Sequence, residues 1–326
     1  MQPEKIIAVE HHSCHIAYAY FTSKYIYKEP VMGVSIDGIG DGLNATINLI
    51  DEKGNINRVY QTGLANIGRI YRYVTLILGM KPNEHEYKMM GLAPYAKDEY
   101  LESVKKVFED YLYVEDGEFK VKNKIPDSYF YYREKLKSYR FDNIAGGIQR
   151  YVEELLVKWI QQNINIYGVK KIVLSGGVGM NIKAMGEIIK KTSLEDLYIP
   201  GNPSDETNCI GAAYLYNHKI GNVNKPIESL YLGSMPKNDP KVIEDARKKY
   251  QVIEGPSNSL IIDELNEGKV IGRCIGNMEF GARALGNRSL LARSDNPELK
   301  ERINSMIKNR DFWMPFAPII LSLIHI

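Results

Sequence analysis

Cysteine is scarce in this chain, with three residues in 326 (Cys14, Cys209 and Cys274). Three thiols cannot build a disulfide framework, and none forms a Cys-x-x-Cys pair, a pattern that suits a reducing cytosol. An excess of one charge is also lacking. Lys and Arg number 42 against 40 Asp and Glu, a net charge of +2, so the basic stripe of a general nucleic-acid-coating protein is missing. No stretch approaches the roughly 18 consecutive apolar residues of a membrane span. Residues 1–9 lack the long apolar run and small-residue cleavage site of a signal peptide. Internal repeats and low-complexity tracts are absent too. What is present, 44% apolar and 25% charged residues, is ordinary globular composition, and the length suits two domains.

The periodicity predicts an α/β chain. Ile6 to Val9 reads as a short buried strand. Val31 to Ile36 and Ala45 to Ile50 read as two strands of a hairpin with a Gly/Asp-rich turn between them. Residues 98–140, rich in Lys, Glu and Tyr, read as a helical insertion facing solvent. Helical spacing from Asn143 to Tyr167 ends at Gly168. Lys171 to Leu174 is a buried-type strand leading into Ser175-Gly176-Gly177-Val178-Gly179, with a helix from about Asn181 to Lys191. Leu197 to Ile199 reads as a further strand, followed by a small-residue helix at Gly211-Ala212-Ala213. Residues 216–228 are polar with Gly and Pro and read as a linker. A second α/β pattern follows: helix 239–249, strand 250–253, helix 257–267 and strand 269–274. Pro318 to Leu321 reads as a core strand, and the terminal residues 321–326 match an adaptor-encoded hexapeptide and are expected to be non-native.

Several constellations carry chemistry. In Glu10-His11-His12-Ser13-Cys14-His15, a helix puts His11 and His15 on one face at i and i+4, where two imidazoles share one ion. His12 points elsewhere, as an outer or substrate-side group or a structural residue. Asp37 and Asp205 each follow a strand, where open α/β sheets bind ligands; each alone also fits a turn or helix-cap residue. Two His with one or two Asp suit iron, zinc or manganese better than calcium or magnesium. Strand, glycine turn and helix at 171–191 offer N–H groups to a phosphate, although the turn matches neither a Walker A loop nor the dinucleotide fingerprint. Glu86 to Tyr95 is a helix followed by a loop. Finally, Arg283 and Arg288 lie among glycines, with Lys308 downstream, a set suited to phosphate.

Taken in order, EHHSCHIAYAYFTS, DGIGDG, EYKMMGLAPYAK, LSGGVGMN, SDETNCIGAA and MEFGARALGNRSLLA…KNRDFWMPFAP resemble the carbamoyltransferase family of nodulation and antibiotic-biosynthesis enzymes. The resemblance implies an actin/sugar-kinase/Hsp70-like first domain over 1–215, like the metal-binding subunit of the machinery that makes threonylcarbamoyladenosine in transfer RNA. After the 216–228 linker it implies an adenylate-forming domain over 229–320, like the carbamoyl- and threonylcarbamoyl-adenylate synthases (YrdC-like). The implied activity joins carbamoyl phosphate to ATP, with magnesium, and passes the carbamoyl group to a hydroxyl of a small molecule. Nucleic acid and membrane are not among the implied partners; a homodimer is compatible. By position, His11, His15, Asp37 and Asp205 match the metal ligands, with iron the expected ion and zinc or manganese suited to the same donors. His12 takes a catalytic role; Gly176, Gly177 and Asn181 match the nucleotide-holding turn; Arg283, Arg288 and Lys308 match carbamoyl phosphate or ATP contacts.

Departures from the family pattern are specific. The family has further residues ahead of the histidine motif, including the first strands of the fold and a general base, and more of the second domain, so truncation at both ends is expected. Met314 replaces a basic residue before Pro-Phe-Ala-Pro, and Ala282 replaces a proline. Three other readings compete: a transfer-RNA threonylcarbamoyl transferase, which should lack the EFGARALGNRS block, a non-catalytic actin/Hsp70-type nucleotide-binding module, and a metallohydrolase.

Overall fold

A computed structural model describes residues 6–237 and 239–319, and the chain divides into two compact units, residues 1–228 and 229–326. Along the first unit run α1 (His11–Phe21), β1 (Val31–Gly40), β2 (Leu43–Ile50), β3 (Ile56–Thr62), α2 (Ile67–Ile77), α3 (Glu86–Leu92), α4 (Asp98–Glu109), β4 (Leu112–Glu115), β5 (Glu118–Val121), α5 (Ser128–Leu136), α6 (Phe141–Tyr167), β6 (Lys171–Ser175), α7 (Ile182–Lys191), β7 (Asp196–Tyr198) and α8 (Asn208–Lys219). Five strands form one mixed sheet in the order β3-β2-β1-β6-β7. The first three are antiparallel neighbours, while β6 runs parallel to β1 and to β7. This is the α/β class that the periodicity predicts.

Local chemistry explains the hairpin. Gly40 pairs with Leu43, leaving Asp41 and Gly42 as a two-residue loop with φ of 47° and 79°. Two successive positive φ values define the turn whose twist matches the flanking strands, and Asp-Gly is a preferred pair there.

The central strand β1 is buried from Val31 to Asp37, so it faces protein on both sides. Its period of two sends Met32, Val34 and Ile36 into the larger core, with Ile70, Val74, Ile148, Trp159 and Ile188. The opposite face carries Val31, Gly33, Ser35 and Asp37 under α1. A β-carbon at Gly33 would come within 3.1 Å of Ile16, which is why glycine stands where the helix lies closest. Strand β6 alternates in the same way: Ile172 and Leu174 belong to the larger core and Val173 to the cluster under α1.

Residues 98–140 depart from expectation. They form α4, the β4–β5 hairpin and α5, and their apolar positions Val104, Phe108, Leu112, Val114, Phe119, Tyr132 and Leu136 are part of the larger core. The segment is amphipathic, and its Lys and Glu mask a continuous apolar stripe. Phe108 is fully buried and lies 5.2 Å and 5.6 Å, ring centre to ring centre, from Tyr132 and Tyr151. Phe108→Ala is expected to cost about 3–5 kcal/mol, measured by denaturant unfolding; a loss under ~1 kcal/mol would return the segment to the status of a surface insertion.

The second unit contains α9 (Pro240–Arg247), α10 (Asn258–Asn266), β8 (Ile271–Cys274), β9 (Arg288–Leu291) and α11 (Pro297–Arg302), with β8 and β9 antiparallel. Two expected strands are not formed. Ile6 to Val9 pairs with no strand among the described residues, and Ile6 and Ile7 are exposed. Residues 250–253 are irregular, with Tyr250 and Ile253 exposed. Pro318 and Ile319 are likewise irregular, while Leu321 and the 321–326 tail lie outside the described residues. No helix of the described residues is long and apolar enough to cross a membrane.

Candidate metal centre

The N-terminus of α1 is fixed by Glu10, whose carboxylate accepts the N–H groups of His12 (3.1 Å) and Ser13 (2.7 Å). Arg58 of β3 and the Ser13 hydroxyl also reach this carboxylate. Burial alone would raise the Glu10 pKa, but the Arg58, Ser13 and backbone hydrogen bonds hold it down at about 2. The charged cap also satisfies helix N–H groups that would otherwise be unpaired.

On this anchored turn, His11, His12 and His15 meet the sheet face carrying Ser35, Asp37 and Ser175. His12 is fully buried and its Nδ1 lies 2.9 Å from Ser35 Oγ, which in turn lies 2.6 Å from Thr46 Oγ1. Burial pushes the His12 pKa down. One helical turn on, His15 Nδ1 lies 3.3 Å from Ser175 Oγ. His11 Nε2 lies 3.1 Å from Asp37 Oδ2, and its backbone N–H donates to Asp41 (2.8 Å). The His11 ring needs the glycine at position 40, where a β-carbon would fall 2.1 Å from a ring carbon.

Asp37 is drawn in from its other side by Gly177, whose N–H donates to Oδ1 at 2.9 Å. The neighbouring Gly176 has φ 105° and donates to the Pro203 carbonyl at 2.7 Å. A fourth donor comes from the loop after β7. Asp205 Oδ1 lies 3.3 Å from His15 Nε2 and 3.6 Å from His11 Nε2. It is delivered by α8, which packs on α1 so closely that a β-carbon at Gly211 would lie 2.0 Å from the Cys14 carbonyl oxygen.

One ligand atom from each of His11, His15, Asp37 and Asp205 therefore falls within 4.8 Å of all the others. The two Nε2 atoms are 3.1 Å apart. Donors bound at about 2.0–2.2 Å to one ion are about 3 Å from each other at right angles, so these separations fit a shared ion. The donor chemistry fits as well, since lone pairs and carboxylate charge converge and a cation removes their repulsion. Hydrogen bonding to Asp37 raises the His11 pKa against the opposing effect of burial. Burial would raise the Asp37 carboxyl, but His11, His15 and the N–H groups of Gly38 and Gly177 hold it at about 2.

The remaining predicted residues are distributed differently. Gly176 and Gly177 adjoin the cluster. Asn181 is the N-cap of α7, accepting from Ala184 N–H at 3.1 Å, and its amide pairs reciprocally with Gln149 at 3.0 Å. Arg283, Arg288 and Lys308 belong to the second unit. Arg288 donates to the carbonyls of Ile275, Asn287, Ser234 and Gly276, so its fork is engaged by main chain. Arg283 and Lys308 are exposed. Reading the sequence missed Glu279, which accepts the N–H groups of Leu285, Asn287 and Arg288 on a single oxygen and so shapes the glycine-rich loop around Arg283. It also missed Glu10, Arg58, Ser35, Ser175 and Asn208. The signal for Ser35 and Ser175 was the two-residue period that puts them on the face of α1; Arg58 and Asn208 left none.

Comparisons with known proteins agree with this arrangement of motifs. A family model described as the carbamoyltransferase N-terminus matches residues 2–214, and one described as the carbamoyltransferase C-terminus matches residues 262–323. An uncharacterized protein of Methanocaldococcus jannaschii is 33% identical over 94% of this chain and 61% of its own length. Nodulation protein NolNO of Sinorhizobium fredii is 27% identical over 99% of this chain and 48% of its own length. The chain thus spans about half to three fifths of such curated relatives. Among solved structures, full-length HypF in the phosphate- and nucleotide-bound form is similar at 18% identity and a TM-score of 0.40, over 67% of this chain and 37% of that one.

Proposed function

The chain belongs to the carbamoyltransferase family, and from that premise we propose that it works in ATP-dependent O-carbamoylation of a small hydroxyl compound. The observation that carries this reading is the convergence of His11, His15, Asp37 and Asp205 beside the Gly176–Gly177 turn. In this reading the second unit makes carbamoyl adenylate: water releases phosphate from carbamoyl phosphate, the carbamate oxygen bonds to the α-phosphorus of ATP and pyrophosphate leaves, with Arg283 and Lys308 holding anionic oxygens and Arg288 holding the loop. The first unit transfers the group. The acceptor oxygen bonds to the carbamoyl carbon, the bond from that carbon to the adenylate oxygen breaks, and AMP leaves with the acceptor's proton released.

Four residues hold the metal: His11 and His15 through Nε2, Asp37 and Asp205 through carboxylate oxygen. A divalent first-row ion suits this set, iron by resemblance, and the chemistry it supplies is Lewis-acid polarisation of the carbamoyl carbonyl. His12, through Ser35, stiffens the first turn of α1. The Gly176–Gly177 turn lies beside the same place as the candidate contact for the nucleotide's phosphate; of its own N–H groups, that of Gly177 serves Asp37 and that of Gly176 the Pro203 carbonyl.

The test supplies the chain and a full-length relative with carbamoyl adenylate and a panel of sugars and other alcohols. AMP release matched one for one by O-carbamate formation is the expected result. Transfer to transfer RNA instead, or nucleotide binding with neither transfer nor bound metal, would overturn it.

A further inference from the structure

An imidazole that gives one ring nitrogen to an ion keeps its proton on the other, and that proton needs an acceptor. For His15 the acceptor is evident. Ser175 Oγ lies 3.3 Å from Nδ1, and its own proton goes to the Pro203 carbonyl at 3.0 Å. Ser175 therefore accepts from His15 Nδ1–H, which leaves the Nε2 lone pair facing the cluster.

For His11 the group at Nδ1 is the side-chain amide of Asn208, at 3.3 Å; the same amide nitrogen lies 3.5 Å from His15 Nε2. With the amide in this orientation, its N–H meets a ring nitrogen that must itself donate whenever Nε2 is a ligand. The amide oxygen, meanwhile, is buried without a hydrogen-bond partner. A half turn about the last side-chain bond exchanges the two atoms and puts oxygen where His11 Nδ1–H requires it.

We propose that Asn208 is a positioning residue of this centre, its amide oxygen accepting His11 Nδ1–H and so holding the His11 Nε2 lone pair toward the ion, as Ser175 does for His15. Asn208 opens α8, one turn after Asp205. The segment that brings the fourth carboxylate therefore also brings the acceptor that orients the first imidazole. This inference rests on the metal centre proposed above.

The experiment compares the wild-type chain with Asn208→Ala and Asn208→Asp. Affinity for Co2+ is read from its visible absorption, and protection of the His11 Nδ1–H in the Zn2+-loaded protein from its exchange with water in proton–nitrogen spectra. Asn208→Ala is expected to weaken Co2+ binding about 10- to 100-fold and to open the His11 Nδ1–H to fast exchange. Asn208→Asp, which keeps an acceptor oxygen, is expected to retain both the affinity and the protection. A fast-exchanging His11 Nδ1–H in the wild type, or Co2+ bound equally by wild type and Asn208→Ala, would overturn the proposal. Absence of Co2+ and Zn2+ binding in the wild type would instead defeat the metal reading, and the proposal would fall with it. If Asn208→Ala does not fold, the wild-type Nδ1–H protection and the Asn208→Asp affinity carry the decision.

Discussion

Gly176→Ala is expected to unfold the first unit or lower its melting temperature by at least about 6 °C. Two independent costs meet at that residue. Its φ of 105° lies where side chains are strained, at about 1–3 kcal/mol. A β-carbon would also sit 2.1 Å from the carbonyl oxygen of Ile36, main chain of the central strand that cannot swing aside as a side-chain tip would. Relief requires pulling β6 from β1 or breaking the Gly176 N–H bond to Pro203. For a unit of this size about 1 kcal/mol moves the transition by ~2–4 °C, so a loss of ~3 kcal/mol or more is readily seen by calorimetry. Gly186→Ala is the matched control. It lies within α7, with nothing within 4 Å of the added carbon, and should stabilise by roughly 0.5–1 kcal/mol. Equal, small effects at both positions would contradict the packing described around the turn.

The second large effect concerns Asp37→Asn. The side chain joins the cluster through Oδ2 and the glycine turn through Oδ1. An amide of the same shape removes the negative charge, and its NH2 must face either His11 Nε2 or the Gly177 N–H. The first choice puts a donor where the ion needs a lone pair, and the second puts donor against donor. Bound divalent metal, measured by elemental analysis after dialysis, is expected to fall from about one per chain to near zero, with at least a ~100-fold loss of affinity. Asp41→Asn separates this from a general loss of negative charge. Asp41 accepts the His11 backbone N–H but contributes no atom to the cluster, so metal retention near the wild-type level is expected. Loss of metal in both variants would mean that field rather than ligation holds the ion.

Much of this was legible because the relevant physics is local. The i, i+4 spacing of His11 and His15 needs only a helix, and α1 supplies one. The alternation of Val31 to Asp37 follows from strand geometry alone. Asp-Gly at 41–42 announces its own turn, as Gly168 announces the end of α6. What escaped depended on distant partners. Arg58 meets Glu10, and Asn208 meets His11, only after the sheet and α8 have assembled, and no spacing encodes that. The 98–140 segment misled because its charges are frequent while its apolar positions, spread over two helices and a hairpin, bury together only in three dimensions. Arg288 misled in the opposite way. Surrounded by glycines it resembles a free anion clamp, yet its guanidinium bonds to the main-chain carbonyls of Ile275, Gly276, Asn287 and Ser234.

The four donors differ in depth. The side chain of His15 is wholly enclosed, those of Asp37 and His11 are 11% and 19% exposed, and that of Asp205 is 64% exposed. Asp205 is therefore the donor that solvent reaches most readily. An exchanging ion or a chelator would meet its carboxylate first. The same asymmetry would make Asp205 the most labile donor of the proposed centre, while the three deeper ones stay in register.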